Sequence, residues 1–248
     1  LGGQAAPNSP YDDSVYFNFD SFAKGENSGI SINAVKEMDN ITFTSITSSR
    51  DSDSLESQDI DFDSSRILNP NTTNVNLSAK SQEFRLASQG NEKINWLIGA
   101  YYYKEDLKND SGVVFGPAWR TYADILVDGL TGGTFSLNDV GSLIGIPGSL
   151  LFATGQESSG YFTQDTETTT FFGQVDINIT DNLSAVLGAS YIEDEKEVTG
   201  FNVNTDIFSN LGFVGIGTLG LIQAGVDPAT AAVLATDPQF NPLLGFQD

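Results

Sequence analysis

Strict two-residue alternation of apolar and polar side chains is the feature that most constrains the fold of this chain. Within residues 170–179, Phe171, Val175 and Ile177 alternate with Gln174 and Asp176. Successive side chains on a β-strand point to opposite faces, so this pattern predicts a strand with one apolar and one polar face. A turn sequence follows at 180–182, and the alternation resumes over 183–191. The two segments therefore predict an antiparallel hairpin.

The same plan occurs twice upstream. Residues 81–88 and 94–107 flank a polar turn at 89–92, and residues 29–37 and 41–50 flank a turn at 38–40. The links between hairpins are much longer than these turns, and such long links are uncommon in compact soluble domains. Short turns at one end of the strands and long loops at the other are typical of membrane-spanning barrels. We therefore predict an all-β fold, a segment of an antiparallel up-and-down transmembrane β-barrel with about six long strands.

The predicted boundaries follow from these patterns. Strands are expected within about 29–50, 80–107 and 165–198, and long extracellular loops at 1–28, 51–79, 108–164 and 199–248. Two loop segments carry helix start signals. Ser136 and Asp139 form a capping-box pattern before residues 140–144, and Asp227 followed by Pro228 predicts a helix over 227–234. The uncharged stretch 207–226 is long enough to span a membrane, but its five glycines disfavour a spanning helix.

Composition excludes several classes of function. The formal net charge of −22 opposes binding to nucleic acid. The chain has no Cys and no His, so disulfides, thiolate metal sites and Ser-His-Asp or Cys-His catalysis are excluded within it. We therefore predict a protein that is not an enzyme, with no catalytic residues, no metal site and no cofactor.

One acidic run begins like an EF-hand calcium loop. Asp59, Asp61 and Asp63 have the required spacing, but Ser64 replaces the needed glycine and Pro70 occupies the position of the bidentate glutamate. A solvated strand end is therefore the preferred interpretation, with a loose divalent-cation site as the alternative.

The hairpin sequences resemble those of one protein family. Residues 81–88 (SQEFRLAS) with 96–102 (WLIGAYY) resemble a hairpin of TonB-dependent receptor barrels. Residues 172–176 (FGQVD), 181–183 (DNL) and 187–191 (LGASY) are similar to the next hairpin, and 41–47 (ITFTSIT) with 58–62 (QDIDF) to the preceding one. The resemblance covers about residues 29–199 and implies a parent barrel of about 22 strands with a plug domain in its lumen.

The resemblance also implies a function. It implies a receptor of the bacterial outer membrane that takes up a scarce ligand, such as an iron-siderophore complex, cobalamin or a glycan. The implied partners are outer-membrane lipid, the plug domain of the same parent chain, the TonB complex and the small-molecule ligand. The plug and the TonB box lie N-terminal in such receptors, and residues 1–248 contain no counterpart of either, so the whole chain is expected to be a partial barrel domain.

Two groups of side chains are candidate site residues. A charged side chain that faces lipid would cost about 2–4 kcal/mol at the bilayer midplane, so the polar strand face is expected to line the lumen. The expected lumen-lining residues are Glu83, Arg85, Gln174, Asp176 and Asn178. They would hydrate the wall or contact the plug in preference to touching ligand. Loops often carry binding residues, and the aromatic candidates for ligand contact in the predicted loops are Trp119, Tyr122, Tyr161 and Phe162.

Two alternatives remain open from the sequence. The first is a passive, porin-like channel or a structural outer-membrane barrel. The second is a soluble secreted β-sandwich or adhesin module, although sandwich domains usually show turn signals about every 8–12 residues and this chain does not.

Overall fold

The structure, a computed structural model, describes residues 11, 16–62, 64–90 and 93–246, and its main feature is one six-stranded antiparallel sheet. The strands are β1 (Phe22–Met38), β2 (Ile41–Gln58), β3 (Asn71–Ser88), β4 (Ile94–Val114), β5 (Glu157–Thr180) and β6 (Leu183–Asn204). Each strand pairs with the next along the chain. This meander confirms the predicted fold class, a partial up-and-down barrel with short helices in its long connections.

Short and long connections lie at opposite ends of the sheet. At one end, two-residue turns at 39–40 and 181–182 close the first and third hairpins, and residues 89–93 close the second. At the other end, residues 59–70 and 115–156 join the hairpins, and residues 205–246 follow β6. The asymmetry read from the sequence is therefore present in the structure.

The strands run further from the short turns than the alternation predicted. β2 ends at Gln58 and β3 begins at Asn71, both within the predicted loop 51–79. The outer ends of β1, β4, β5 and β6 lie within the other three predicted loops, at Phe22, Val114, Glu157 and Asn204. The amphipathic pattern ends earlier than the hydrogen-bonded ladder, because the outer parts of the strands no longer have one consistently apolar face. Sequence periodicity reports the apolar face and not the backbone pairing.

The long connections contain four α-helices and three 3-10 segments. The helices are α1 (Trp119–Thr131), α2 (Leu137–Ile144), α3 (Phe213–Gln223) and α4 (Pro228–Leu234), and the 3-10 segments are Gly148–Leu150, Phe208–Asn210 and Pro242–Phe246. Residues 115–156 and 205–246 together form a unit that we call the helical cap. Its buried core contains Val127, Leu137, Leu151, Phe213 and Leu243, from both connections. The two connections therefore fold against each other at the end of the sheet opposite the short turns.

Both helix starts predicted from capping signals are confirmed. The Ser136 hydroxyl oxygen accepts a hydrogen bond from the Asp139 N–H (3.1 Å), and the Asp139 carboxylate accepts one from the Ser136 N–H (2.9 Å). Hydrogen bonds from the Ser136 side chain and backbone lower the pKa of Asp139. At α4, the Asp227 carboxylate accepts the N–H groups of Ala229 and Thr230, each at 3.1 Å.

Helix α3 forms within the glycine-rich stretch, where no helix was predicted. Gly217 lies against Asn241, and a Cβ at this position would overlap the Asn241 amide. That amide is fully buried and donates to the carbonyl oxygens of Phe213 (3.0 Å) and Ala235 (2.9 Å). The glycine thus allows a close approach that fixes α3 against the chain after α4. No helix in the described part of the chain has the length and apolarity needed to cross a membrane.

Candidate functional site

The sheet has two unlike faces, and register assigns each residue to one of them. Directly opposed residues on neighbouring strands share a face. On β4, the face that carries Leu97, Gly99 and Tyr101 is part-buried along the whole strand, whereas Ile98 and Tyr102 on the other face are 51% and 41% exposed. Side chains converge on the inside of a curved sheet, so we call these the concave and the convex face. The concave face is the candidate functional site.

Near the short turns the convex face is apolar. The ladder aligns Phe84 with Ala100, Ala100 with Phe171, and Phe171 with Tyr191. Trp96, Val175 and Leu187 form another such row across β4, β5 and β6. We call this part of the convex face the apolar band; between the short turns and its outer border, Lys36 on β1, opposite Phe43, is the one charged convex residue of the six strands.

The band ends along an oblique line. The first charged convex residue beyond the band on each strand is Glu26, Asp51, Lys80, Lys104, Glu167 and Glu193, from β1 to β6. The residue of β1 at the same level as Glu193 is Ile32. The strand register connects the two through the directly opposed residues Thr169, Tyr102, Gln82 and Thr47. Glu26 lies six residues beyond Ile32 on β1.

The slope of this line can be compared with barrel geometry. Six residues correspond to about 20 Å along a strand, and five interstrand spacings to about 24 Å. The ratio gives an angle of about 40°, within the range of strand tilt in closed barrels. When the strands are tilted by this angle from the membrane normal, as barrel strands are, the border of the band therefore lies parallel to the membrane plane.

All five predicted lumen residues lie on the concave face, in two groups. On β3, Glu83 and Arg85 form an ion pair with each other. On β5, the Gln174 amide donates to the Asp176 carboxylate (2.9 Å), and the Asn178 N–H donates to the Lys93 carbonyl (2.8 Å). β4 separates the two groups, so the structure does not assemble them into one pocket.

An aromatic ring lies between these groups on the concave face. Phe172 is directly opposite Gly99, and a Cβ at Gly99 would overlap the Phe172 ring. The ring therefore covers the glycine, and the wall at this point is smooth and apolar between polar neighbours.

The four predicted loop aromatics are split between cap and strand. Trp119 begins α1 and stacks on Phe115 with ring centroids 4.7 Å apart, and Tyr122 lies next to it at 5.5 Å. Both belong to the packing of the helical cap. Tyr161 and Phe162 are in β5 and not in a loop, because the strand extends to Glu157. As neighbours on a strand they point to opposite faces, with Phe162 concave and Tyr161 convex.

Sequence reasoning missed a group of apolar residues on the outer part of the concave face. These residues are Val75, Leu77, Leu107 and Val198, which join Phe162 on four adjacent strands. Val75, Leu77 and Ala79 alternate with Asn76 and Ser78, so a period-two signal was present. It was missed because the apolar side chains of β3 change face along the strand, from Val75 and Leu77 on the concave face to Phe84 and Leu86 on the convex face, and because turn-like residues flank the segment.

The acidic run after β2 has a structural role. Asp59 is buried and its carboxylate accepts the Asn18 N–H (2.8 Å). The Asp61 carboxylate accepts the N–H groups of Ile67 (3.1 Å) and Leu68 (2.9 Å). These bonds hold the 59–70 connection, and Asp63 lies outside the described residues. Within the described ranges, no three acidic side chains are grouped so that they could hold a metal ion.

A carboxylate pair lies on the convex face beyond the apolar band. Asp106 on β4 is directly opposite Asp165 on β5. A hydrogen bond to Asp106, with a smaller contribution from desolvation, raises the pKa of Asp165. The neighbouring carboxyl group thus opposes ionisation of Asp165, as expected for like charges at opposed positions.

Comparison with known proteins identifies the fold. No protein-family model and no curated protein matches the chain, but solved structures do. One of these is the crystal structure of the ferric yersiniabactin uptake receptor FyuA from Yersinia pestis, with a TM-score of 0.53 at 14% sequence identity. The match covers 75% of this chain and 23% of that receptor, so the chain spans about a quarter of its length. At this identity the likeness establishes the fold alone, which is a partial antiparallel barrel similar to part of the barrel of that receptor.

Proposed function

We propose that the chain is a segment of a TonB-dependent active-transport receptor in the bacterial outer membrane. The observation that carries the proposal is the oblique apolar band on the convex face of a single curved sheet. From Ile94 to Tyr102 the band rises about 27 Å along β4, or about 20 Å along the normal of a bilayer at a tilt of about 40°. Outer-membrane barrels have an outward apolar band about 25 Å tall with aromatic residues at its borders.

The proposed arrangement places lipid outside and water inside. Glu83, Arg85, Gln174, Asp176 and Asn178 would line the lumen, where their charges and amides remain hydrated or contact the plug domain of the complete receptor. The soluble β-sandwich alternative lacks support, because the described strands form one sheet and no second sheet covers the apolar band.

The ligand of the proposed receptor belongs to a class of scarce nutrients. FyuA is an uptake receptor for ferric yersiniabactin, and an iron chelate is one candidate here, with cobalamin and glycans as the others. Trp119, Tyr122 and Phe162 remain candidates for ligand contact. Tyr161 lies on the face that we assign to the outside of the barrel.

Substituted-cysteine accessibility tests the membrane arrangement. The chain has no Cys, so one introduced thiol reports one position. In outer membranes that contain the complete protein, Leu97→Cys on the concave face should react with a small membrane-impermeant thiosulfonate. Ile98→Cys, the adjacent convex residue, should react only after detergent extraction. The pair Val186→Cys and Leu187→Cys should show the same contrast, and equal reactivity within both pairs would contradict the proposal.

Uptake measurements test the transport role separately. Cells that express the complete protein are supplied with radioactive ferric chelate, labelled cobalamin or labelled oligosaccharide, with and without a functional TonB complex. One of these should accumulate only when the TonB complex is present. Accumulation that is equal without TonB would instead identify a passive channel.

A further inference from the structure

Directly opposed residues form rows across the six strands, and two neighbouring rows of the concave face contain no charged residue. The first row is Asn27, Ser52, Leu77, Leu107, Gln164 and Val198, and the second is Gly25, Ser54, Val75, Asn109, Phe162 and Gly200. The convex rows at the same height differ sharply. They contain Glu26, Asp51, Asp53, Asp106, Lys108, Asp165 and Glu197. The face that is polar near the short turns is thus the less polar face further out.

An apolar patch forms the centre of these rows. Leu77 is opposite Leu107, and Phe162 is opposite Asn109, on the adjacent inner strands β3, β4 and β5. These four side chains are part-buried, and the Asn109 side-chain oxygen is buried without a hydrogen-bond partner in the described part of the chain. The main packing partners of the described helices are other helical segments of the cap. In the proposed membrane arrangement, water would surround both faces beyond the apolar band, so contact with lipid would not account for an apolar surface on the concave side.

The charges around the patch disfavour an anion. The concave face carries the carboxylates Glu37, Glu56, Glu83, Glu105, Asp176 and Asp194 and the cations Arg50, Arg85 and Lys196. Arg85 pairs with Glu83, and Lys196 lies 3.9 Å from Asp194, so two of the three cations already face a carboxylate. The six carboxylates outnumber the three cations, so this face has a net negative charge, and an anion held against the patch would lose hydration in a field that repels it, which is costly.

We propose that this patch, centred on Leu77, Leu107 and Phe162, binds the apolar surface of an electrically neutral ligand and discriminates against anionic ones. The inference rests on the proposed function, because it takes the concave face to be the inside of a receptor barrel. It narrows the ligand class, since a trianionic ferric complex is disfavoured and an uncharged chelate or another uncharged molecule with an apolar surface is favoured.

Two fluorescent probes that differ by one charged group test the inference. N-phenylnaphthylamine is neutral, and anilinonaphthalene sulfonate has the same rings with an added sulfonate. Both are titrated onto the complete protein in lipid nanodiscs, with empty nanodiscs as the blank. The neutral probe should bind about tenfold more tightly than the sulfonate, and Phe162→Ala should weaken its binding about tenfold.

Tyr161→Ala is the matched control, because it removes an adjacent ring on the same strand from the opposite face. It should leave the affinity for the neutral probe unchanged. The inference is overturned if the sulfonate binds as tightly as the neutral probe, or if the two variants have equal effects. It is also overturned if Phe162→Ala lowers thermal stability without changing probe affinity, which would identify a contact with the plug. Probe binding does not require TonB, so failure of TonB-dependent uptake would contradict only the proposed function.

Discussion

At the scale of single residues, the same amino acid has a different role on each face of the strand. Phe171 and Phe172 are neighbours in sequence, yet Phe171 belongs to the convex apolar band and Phe172 covers Gly99 on the concave wall. Charges are sorted in the same way. Asp176 accepts a hydrogen bond on the concave wall, whereas Asp106 and Asp165 oppose each other on the convex side beyond the band.

The Asp106–Asp165 pair gives a pH-dependent prediction. The pKa of Asp165 is raised, so the pair contributes stability below the ordinary carboxyl value of 3.8 and loses it as the pH rises through the raised pKa. At neutral pH, Asp165→Asn should therefore slow hydrogen exchange of the neighbouring β4 and β5 amides, because it removes the repulsion. The difference from the wild type should vanish in acid.

Asp110→Asn is the control for this effect, since Asp110 lies on the same face of β4 but opposite Tyr161 and not a carboxylate. It should change the exchange rates little at either pH. If the β4 and β5 amides of the wild type exchange as slowly at neutral pH as those of Asp165→Asn, the two carboxylates do not repel each other.

At the scale of elements, the sequence predicted those parts of the structure that depend on local chemistry. The three hairpins follow from period-two alternation, and α2 and α4 follow from the side chains of Ser136 and Asp227 at their N-caps. The outer parts of the strands and helices α1 and α3 were not predicted. Their formation depends on partners distant in sequence, such as Asn241 for α3, which no local pattern reveals.

The glycines of α3 provide a matched pair of substitutions. Gly217→Ala should destabilise the cap by about 1–3 kcal/mol, because the added methyl group overlaps the buried Asn241 amide. Gly215→Ala adds the same methyl group to the same helix where nothing lies within 4 Å, and should stabilise the helix by up to about 1 kcal/mol. Hydrogen exchange of the α3 amides measures both effects. A similar loss of protection in the two variants would mean that the packing of Gly217 is not the cause.

At the scale of the whole molecule, the sheet and the helical cap are two separately stabilised parts that are joined end to end. The sheet is held by interstrand hydrogen bonds and has one apolar face, whereas the cap has its own buried core of side chains from residues 115–156 and 205–246. Leu137 and Val140 from the first connection pack in the same cluster as Phe208 and Phe213 from the second. Each half of the cap therefore depends on the other more than on the sheet.

This division predicts the effect of replacing residues 119–150 in the complete protein by a short Gly-Ser linker. The sheet should still form, and the protein should keep the heat-modifiable gel mobility of a folded barrel. Residues 205–246 should become sensitive to limited proteolysis, because half of their core is gone. Loss of heat-modifiable mobility would show that the cap is required for the sheet itself.

The two outer strands expose their backbones unequally. β1 and β6 each have one edge without a neighbouring strand among the described residues. The edge of β1 includes the uncharged run 29–35, while β6 carries four carboxylates within 193–197. Charge deters strand addition and a β-rich neutral stretch invites it. A preparation of this chain by itself should therefore self-associate through β1 into dimers, with β6 remaining unattached, unless another strand occupies that edge first.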